Sequence, residues 1–181
     1  MITFARIRDF ALIRALITAP GSWDAATDDA SPPASAFAPN EDERIWYVIA
    51  SDVQPARGKE RESLSKQSSE AGFNEAARET NEDEYTIIGL YTFIPENSVC
   101  YEIHVTRAFG ARAVAAGRGV VPWFCRESGA RRVVASIPVT NPIAVRYAVA
   151  CGFSEFGRNF RSFMKRGELR DQALLGISPR I

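Results

Sequence analysis

The run Asn141-Pro-Ile-Ala-Val-Arg-Tyr-Ala-Val-Ala-Cys-Gly152-Phe153 follows closely on Arg132-Val-Val-Ala-Ser-Ile137. Together the two segments leave room for little but strand, helix, strand. Asn141 offers a side-chain oxygen to an orphan N–H of a first helical turn. Pro142, at the first helical position, has a preset φ and lacks a donor that would go unpaired there anyway. Gly152 supplies the left-handed residue on which helices end, so the helix is expected to close at about Cys151. The β-branched residues of Arg132–Ile137 fit a pleated sheet.

The same reading extends in both directions. Tyr85–Ile94 and Val99–Val105 flank the turn residues Pro95-Glu96-Asn97 and read as a hairpin. A helix is expected from about Ala111 to Ser128, stopped by Gly129 and bent by Pro122, which removes a backbone donor. Two closing strands, roughly Phe153–Phe163 and Gln172–Ile177, are separated by a turn around Gly167. At the other end, Ile2–Arg6 reads as a strand. Asp9 then caps a helix through Ile17 that carries Phe10, Ile13, Leu16 and Ile17 on one face. Gly21 and the Ser-, Pro- and Ala-rich stretch Asp28–Asn40 break regular structure, and Ile45–Ala50 reads as a buried strand.

Between these halves lies Ser51–Glu84, with nine acids, five bases and only Val53, Leu64 and Phe73 as sizeable apolar residues. Such a segment buries too little surface to offset the entropy of ordering it, so a polar, flexible insertion is expected at about 51–84. A chain of 181 residues holds one core. The expectation is therefore a single domain over 1–181 with element order β-α-β, insertion, β-β-α-β-α-β-β, a mixed α/β (α+β) sandwich.

Charge and composition restrict the partners. Formal net charge is zero, yet Arg107–Asp171 holds twelve Lys or Arg against four acids. That balance suits an anionic ligand. No RNA-binding or helix-turn-helix signature accompanies the arginines, so nucleic acid is not the expected partner. No apolar run has the length of a membrane span, and no basic patch precedes an apolar leader segment. Cys100, Cys125 and Cys151 form an odd set without CxxC spacing and read as reduced thiols, which fits a cytoplasmic setting. The one histidine, His104, and these scattered cysteines do not make a zinc site of familiar spacing, and no metal is expected.

The spacing Asn141-x-x-Ala144-x-x-Tyr147-x-x-x-x-Gly152-Phe153 resembles the signature of the GNAT superfamily of N-acetyltransferases at every signature position. The resemblance runs through Tyr85–Ile177, and more weakly through the first strand, helix and strand. It implies a GNAT fold, a mostly antiparallel central sheet splayed at its middle strands with helices on both faces. It implies acetyl-CoA as co-substrate and an amine acceptor, unidentified, that attacks the thioester directly. Asn141 would cap the last helix and face the pantetheine arm, Ala144 would be small at a helix contact, and Tyr147 would point at the sulfur and act as the thiol acid. Glu102 and His104 alternate on one strand and so share a face; in this resemblance they are the candidates for the base.

GNAT proteins open their long helix with a loop of form Gln/Arg-x-x-Gly-x-Gly/Ala, whose backbone N–H groups bind the coenzyme pyrophosphate. With Val105 ending the strand, one alignment gives Gly110-Ala111-Arg112-Ala113-Val114-Ala115, with alanine at the small positions and Arg112 able to add a charge-assisted contact. A second starts at Arg107 and leaves Arg112 at the last position. Tyr101-Glu-Ile-His104, Ala115-Ala-Gly-Arg118 and Gly152-Phe…Gly157-Arg resemble strings in acetyltransferase-like proteins of phages and prophages. Some of those relatives serve virion assembly, so the resemblance also implies an alternative, a non-catalytic assembly or adaptor protein with phage structural proteins as partners and the host cytoplasm as its setting. All of this assumes that Val105 and Ile137 lie on neighbouring strands that diverge and leave a slot.

Overall fold

A computed structural model describes residues 1–53, 85–106, 108 and 110–179. Most of the expected insertion, together with Arg107, lies outside the described residues. Seven strands form one sheet in the order β1-β2-β3-β4-β5-β7-β6, where β1 is Ile2–Ile7, β2 Trp46–Val53, β3 Tyr85–Pro95, β4 Cys100–Thr106, β5 Arg132–Pro138, β6 Ser154–Lys165 and β7 Glu168–Ile177. Every neighbouring pair is antiparallel except β4 and β5. The expected strands are all present, and their ends move by a few residues. Ser51–Val53, expected in the insertion, continues β2, and Thr106 rather than Val105 closes β4.

The described residues hold four α-helices beside the sheet: α1 (Phe10–Ile17), α2 (Ser22–Ala26), α3 (Ala113–Ser128) and α4 (Pro142–Ala150). Alternation along the strands divides the apolar residues between two faces. Val48, Ala50, Tyr91, Phe93, Ile103, Val133 and Ala135 pack with α3 and α4, while Tyr47 and Leu90 pack with Ile13 and Leu16 of α1. Phe124 of α3 centres the larger core. It stacks on Phe93 at 3.8 Å between ring centroids, and Trp46 and Tyr101 meet it edge-on. Buried aromatics of this size stabilise by about 1.5–3 kcal/mol each through removed surface.

Caps and stops fall where local chemistry places them. Asp9 accepts from the Leu12 N–H at 2.9 Å, and Asn141 accepts from the Ala144 N–H at 3.1 Å. Gly129 and Gly152 end α3 and α4 with φ of 77° and 100°. α3 runs unbroken through Pro122 and begins two residues later than expected, at Ala113. α2 was not expected; Gly21 with φ of 80° serves as its N-cap rather than as a break.

The β6–β7 hairpin turns on two residues, Arg166 and Gly167, with φ of 54° and 74°. Two positive φ values are what a type I′ hairpin requires, and Asn-Gly meets them most easily. Arginine at the first position carries about 1–2 kcal/mol of left-handed strain. The turn is gripped by the loop after α2: the Asp29 carboxylate accepts from the Arg166 and Gly167 N–H groups at 2.9 and 2.7 Å, and Lys165 Nζ donates to the Asp24 and Thr27 carbonyls.

α3 and α4 approach most closely at Gly117. A Cβ there would lie 2.3 Å from Cys151 Sγ and 2.5 Å from the Tyr147 hydroxyl. Gly117→Ala should therefore lower stability by about 1–3 kcal/mol through overpacking, against the gain of up to about 1 kcal/mol in helix propensity. Urea unfolding would read this as a lower midpoint at unchanged slope. A midpoint at or above wild type would mean the helices are not in contact here.

Candidate functional site

The parallel ladder between β4 and β5 covers only Cys100–Glu102 against Arg132–Val134. Beyond it, Ile103–Thr106 remain paired to β3 and Ala135–Pro138 to β7, but not to each other. The two middle strands thus part in the direction in which both run, toward the starts of α3 and α4. Val105 and Ile137 stand on the diverging segments, and Val105 is exposed. Because β4 and β5 are followed by α3 and α4, the opening lies between two helix N-termini, where unpaired backbone donors and the helix dipole favour anions.

The start of α3 fits that use. Gly110 has φ of 80° and opens a turn in which the Ala113 N–H reaches the Gly110 carbonyl at 3.1 Å. Arg112 is the N-cap residue and no side chain caps the helix, so the first-turn N–H groups are not taken by a side chain among the described residues. Ala111 and Ala115 are exposed, Val114 is half-buried, and the Ala113 side chain is buried against the core. The Arg112 guanidinium, expected beside a phosphate, is instead paired with the Asp52 carboxylate at the end of β2, which also accepts from the α-ammonium of Met1 at 3.1 Å. Both cations hold the Asp52 carboxyl below its ordinary range.

On α4, Asn141 caps the helix, and Ala144 is half-buried. The Tyr147 side chain runs beneath α3. Its O–H donates to the Ala113 carbonyl at 3.1 Å, and the wholly buried Tyr91 hydroxyl lies 3.1 Å away. Burial pushes the Tyr91 phenol up to about 12 and raises that of Tyr147 as well, so both stay protonated. Cys151, buried beside Tyr147, is raised for the same reason and is no thiolate nucleophile. Phe153 fills the core behind Gly152.

Glu102 and His104 share the face of the sheet that carries α1, opposite Ile94 and Thr92 of β3. His104 Nε2 lies 3.5 Å from Glu102 Oε2; the His104 side chain is 53% exposed and that of Glu102 22%. The Glu102 carboxyl is held below its ordinary value, first by His104 and then, against the opposing cost of burial, by the hydroxyl and amide of Ser136. Glu102 is the last residue of β4 paired with β5, so it stands where the two strands part. Ser136 was not expected from the sequence, since its partner lies far away along the chain. Nor was Tyr91 as the partner of Tyr147.

A cleft of about 350 Å³ lies at the end of β5, with Pro138 in its wall. Ser136 and Pro138 point the same way along β5, one strand repeat apart. The cleft is walled by Asp24 of α2, Pro138, Asn141, and Lys165, Arg166 and Arg170 of the β6–β7 hairpin.

No family model matches the chain, and no curated protein matches its sequence. Solved structures do. A Vibrio cholerae spermidine N-acetyltransferase in complex with CoA and spermine superposes with a TM-score of 0.66 at 15% identity, over 98% of this chain and 95% of that one. The same enzyme's complex with manganese ions gives 0.56 at 15% identity, over 98% and 92%. A chimera of it with hSSAT gives 0.61 at 16% identity, over 98% and 95%. The fold is the GNAT N-acetyltransferase fold. At these identities the likeness speaks for the fold, and the seven-stranded, mostly antiparallel sheet with its parting middle strands is its content here. No helix of the described residues is long and apolar enough to cross a membrane.

The Glu102 arrangement has a pH signature. A carboxyl depressed on folding stabilises the fold fully above its ordinary value, here 4.5, and that stability is lost as pH falls through the lower folded value. Glu102→Gln should flatten the acid limb of the stability curve below about pH 4.5 and leave the neutral region less affected. Thermal midpoints taken between about pH 6 and about pH 3 would show it. Parallel curves for the two proteins would mean that Glu102 is not held by His104 and Ser136.

Proposed function

We propose that the chain is an acyl-CoA-dependent N-acetyltransferase that moves the acetyl group of acetyl-CoA to an amine by direct attack. The observation that carries this reading is the opening between β4 and β5, flanked by the uncapped start of α3 and the Asn141-capped start of α4. The N–H groups of Gly110, Ala111, Arg112, Val114 and Ala115, at and before the start of α3, are donors suited to a pyrophosphate, and Ala113, whose own N–H is bonded to the Gly110 carbonyl, is small enough to let it approach. Val105 and the diverging edge of β4 suit a pantetheine arm, with Asn141 and Ala144 on its other side. Bound acetyl-CoA would supply an activated thioester carbonyl.

The chain's own groups divide the remaining work. In the reaction an N–C bond forms, the C–S bond breaks, the amine gives up a proton and the sulfur gains one. Glu102 and His104, on the acceptor face, take the amine proton directly or through water. Free backbone N–H groups along the diverging edges stabilise the charge that develops on the carbonyl oxygen. Tyr147, kept protonated by burial, gives its proton to the departing sulfur and exchanges its bond to the Ala113 carbonyl in doing so. Solvent then restores it.

A second reading is a non-catalytic GNAT-fold protein, an assembly or adaptor module of phage origin. Two observations favour its non-catalytic part: Arg112 is already paired with Asp52, and the Tyr147 hydroxyl is already bonded at both sides.

Thermal melting with and without acetyl-CoA separates the two. Ligand at about a hundredfold over its dissociation constant should stabilise the fold by about 2.7 kcal/mol, a rise of several degrees for a domain of this size. No rise at millimolar coenzyme would overturn the enzyme reading. Tyr147→Phe should lower kcat by about 100-fold or more while keeping the coenzyme-dependent rise. Normal turnover in that variant would remove Tyr147 from the chemistry and leave it a packing residue.

A further inference from the structure

The cleft beyond Pro138 is lined by one carboxylate, Asp24, and by three cations, and the partners of those cations single out one residue. Lys165 spends its three protons on the Asp24 carbonyl, the Asp24 carboxylate and the Thr27 carbonyl. Arg170 is paired with Glu168. The Asp29 carboxylate is occupied by the two turn amides. Only the Arg166 guanidinium, among the cations that line the cleft, makes no hydrogen bond or ion pair among the described residues.

The backbone adds an independent reason to single it out. Arg166 occupies the first central position of a type I′ turn at φ of 54°, where asparagine or glycine would be comfortable. A long cation in a strained position, aimed at a cleft, is a feature that the hairpin itself does not need. It has the planar fork that matches a carboxylate or phosphate.

We infer that the acceptor of this protein is an amine that also carries an oxyanion, carboxylate or phosphate, held by Arg166 with Arg170 beside it, while its amine reaches back toward Glu102. The inference rests on the acetyltransferase reading for the amine and on the cleft alone for the anion. A polyamine, all cation, would meet the Arg166 guanidinium, while Asp24 and Glu168 offset Lys165 and Arg170, and that one cation would disfavour it. The chain would thus differ in acceptor from the spermidine N-acetyltransferases whose fold it shares.

The experiment has a turnover arm and a binding arm, both on the full chain. Release of free thiol from acetyl-CoA is followed with four acceptors: an ω-amino carboxylate, an aminoalkyl phosphate, an alkylamine of matched length with a neutral end, and spermidine. At least one of the oxyanion amines should exceed the neutral amine and spermidine tenfold or more in kcat/KM, and the better of the two identifies the anion. Arg166→Asn should erase that preference through KM, with kcat changed less, while its melting temperature equals or exceeds wild type because the strain is relieved. Arg170→Gln should weaken the same preference. Equal or better use of spermidine, or an unchanged KM in Arg166→Asn, would overturn the inference. The binding arm measures heats of binding of the two oxyanion amines without coenzyme. Binding to wild type that falls tenfold in Arg166→Asn supports the anion site even if no turnover is found, in which case it is the enzyme reading that fails. Equal binding to both proteins, or none to either, overturns the anion site.

Discussion

Three registers of parallel pairing join β4 to β5, and then the ladder stops while both strands continue. Each strand stays anchored on its other side, β4 to β3 and β5 to β7, so neither can close the gap without losing an established ladder. Backbone polar groups in a sheet must be paired or reach water or a ligand. An opening maintained in this way is therefore a place where something other than the chain completes the hydrogen bonding. Glu102 stands at the point of parting as the last β4 residue paired with β5, with His104 Nε2 3.5 Å from its carboxylate.

The remainder of the site follows from that divergence. Strands that part toward their C-terminal ends deliver the next two helices, α3 and α4, with their N-termini at the mouth of the gap. Gly117 lets these helices touch, and Tyr147 and Tyr91 tie the first turn of α3 to the sheet through adjoining hydroxyls. The start of α3 is thereby held in place from below, while its amides remain uncapped from above. Asp24, Thr27 and Asp29 hold the β6–β7 hairpin, which with Pro138 at the end of β5 walls the cleft that carries Arg166.

What the sequence made legible was local. The cap at Asn141, the stop at Gly152 and the alternation of Glu102 with His104 depend on neighbours a few residues away, and the structure holds each of them as expected. What stayed hidden depends on distant chain segments. Nothing near Arg112 in sequence announces Asp52, sixty positions away. Nothing near Glu102 announces Ser136, or near Tyr147 its bond to Ala113. α2 is not legible locally because Gly21 signals a break, although a left-handed glycine can equally precede a short helix. Arg166 was legible in principle: an Arg-Gly pair stands where a tight hairpin prefers Asn-Gly.

On the proposed reading, the gap between β4 and β5, with the start of α3, holds the coenzyme. Amide-resolved NMR during titration with coenzyme A tests it most directly. Shifts should concentrate at Ile103–Thr106, at Gly110–Ala115 and at Ala135–Ile137, on both sides of the parting and at one helix start. Shifts confined to other parts of the sheet, or a spectrum unmoved by saturating coenzyme, would contradict it.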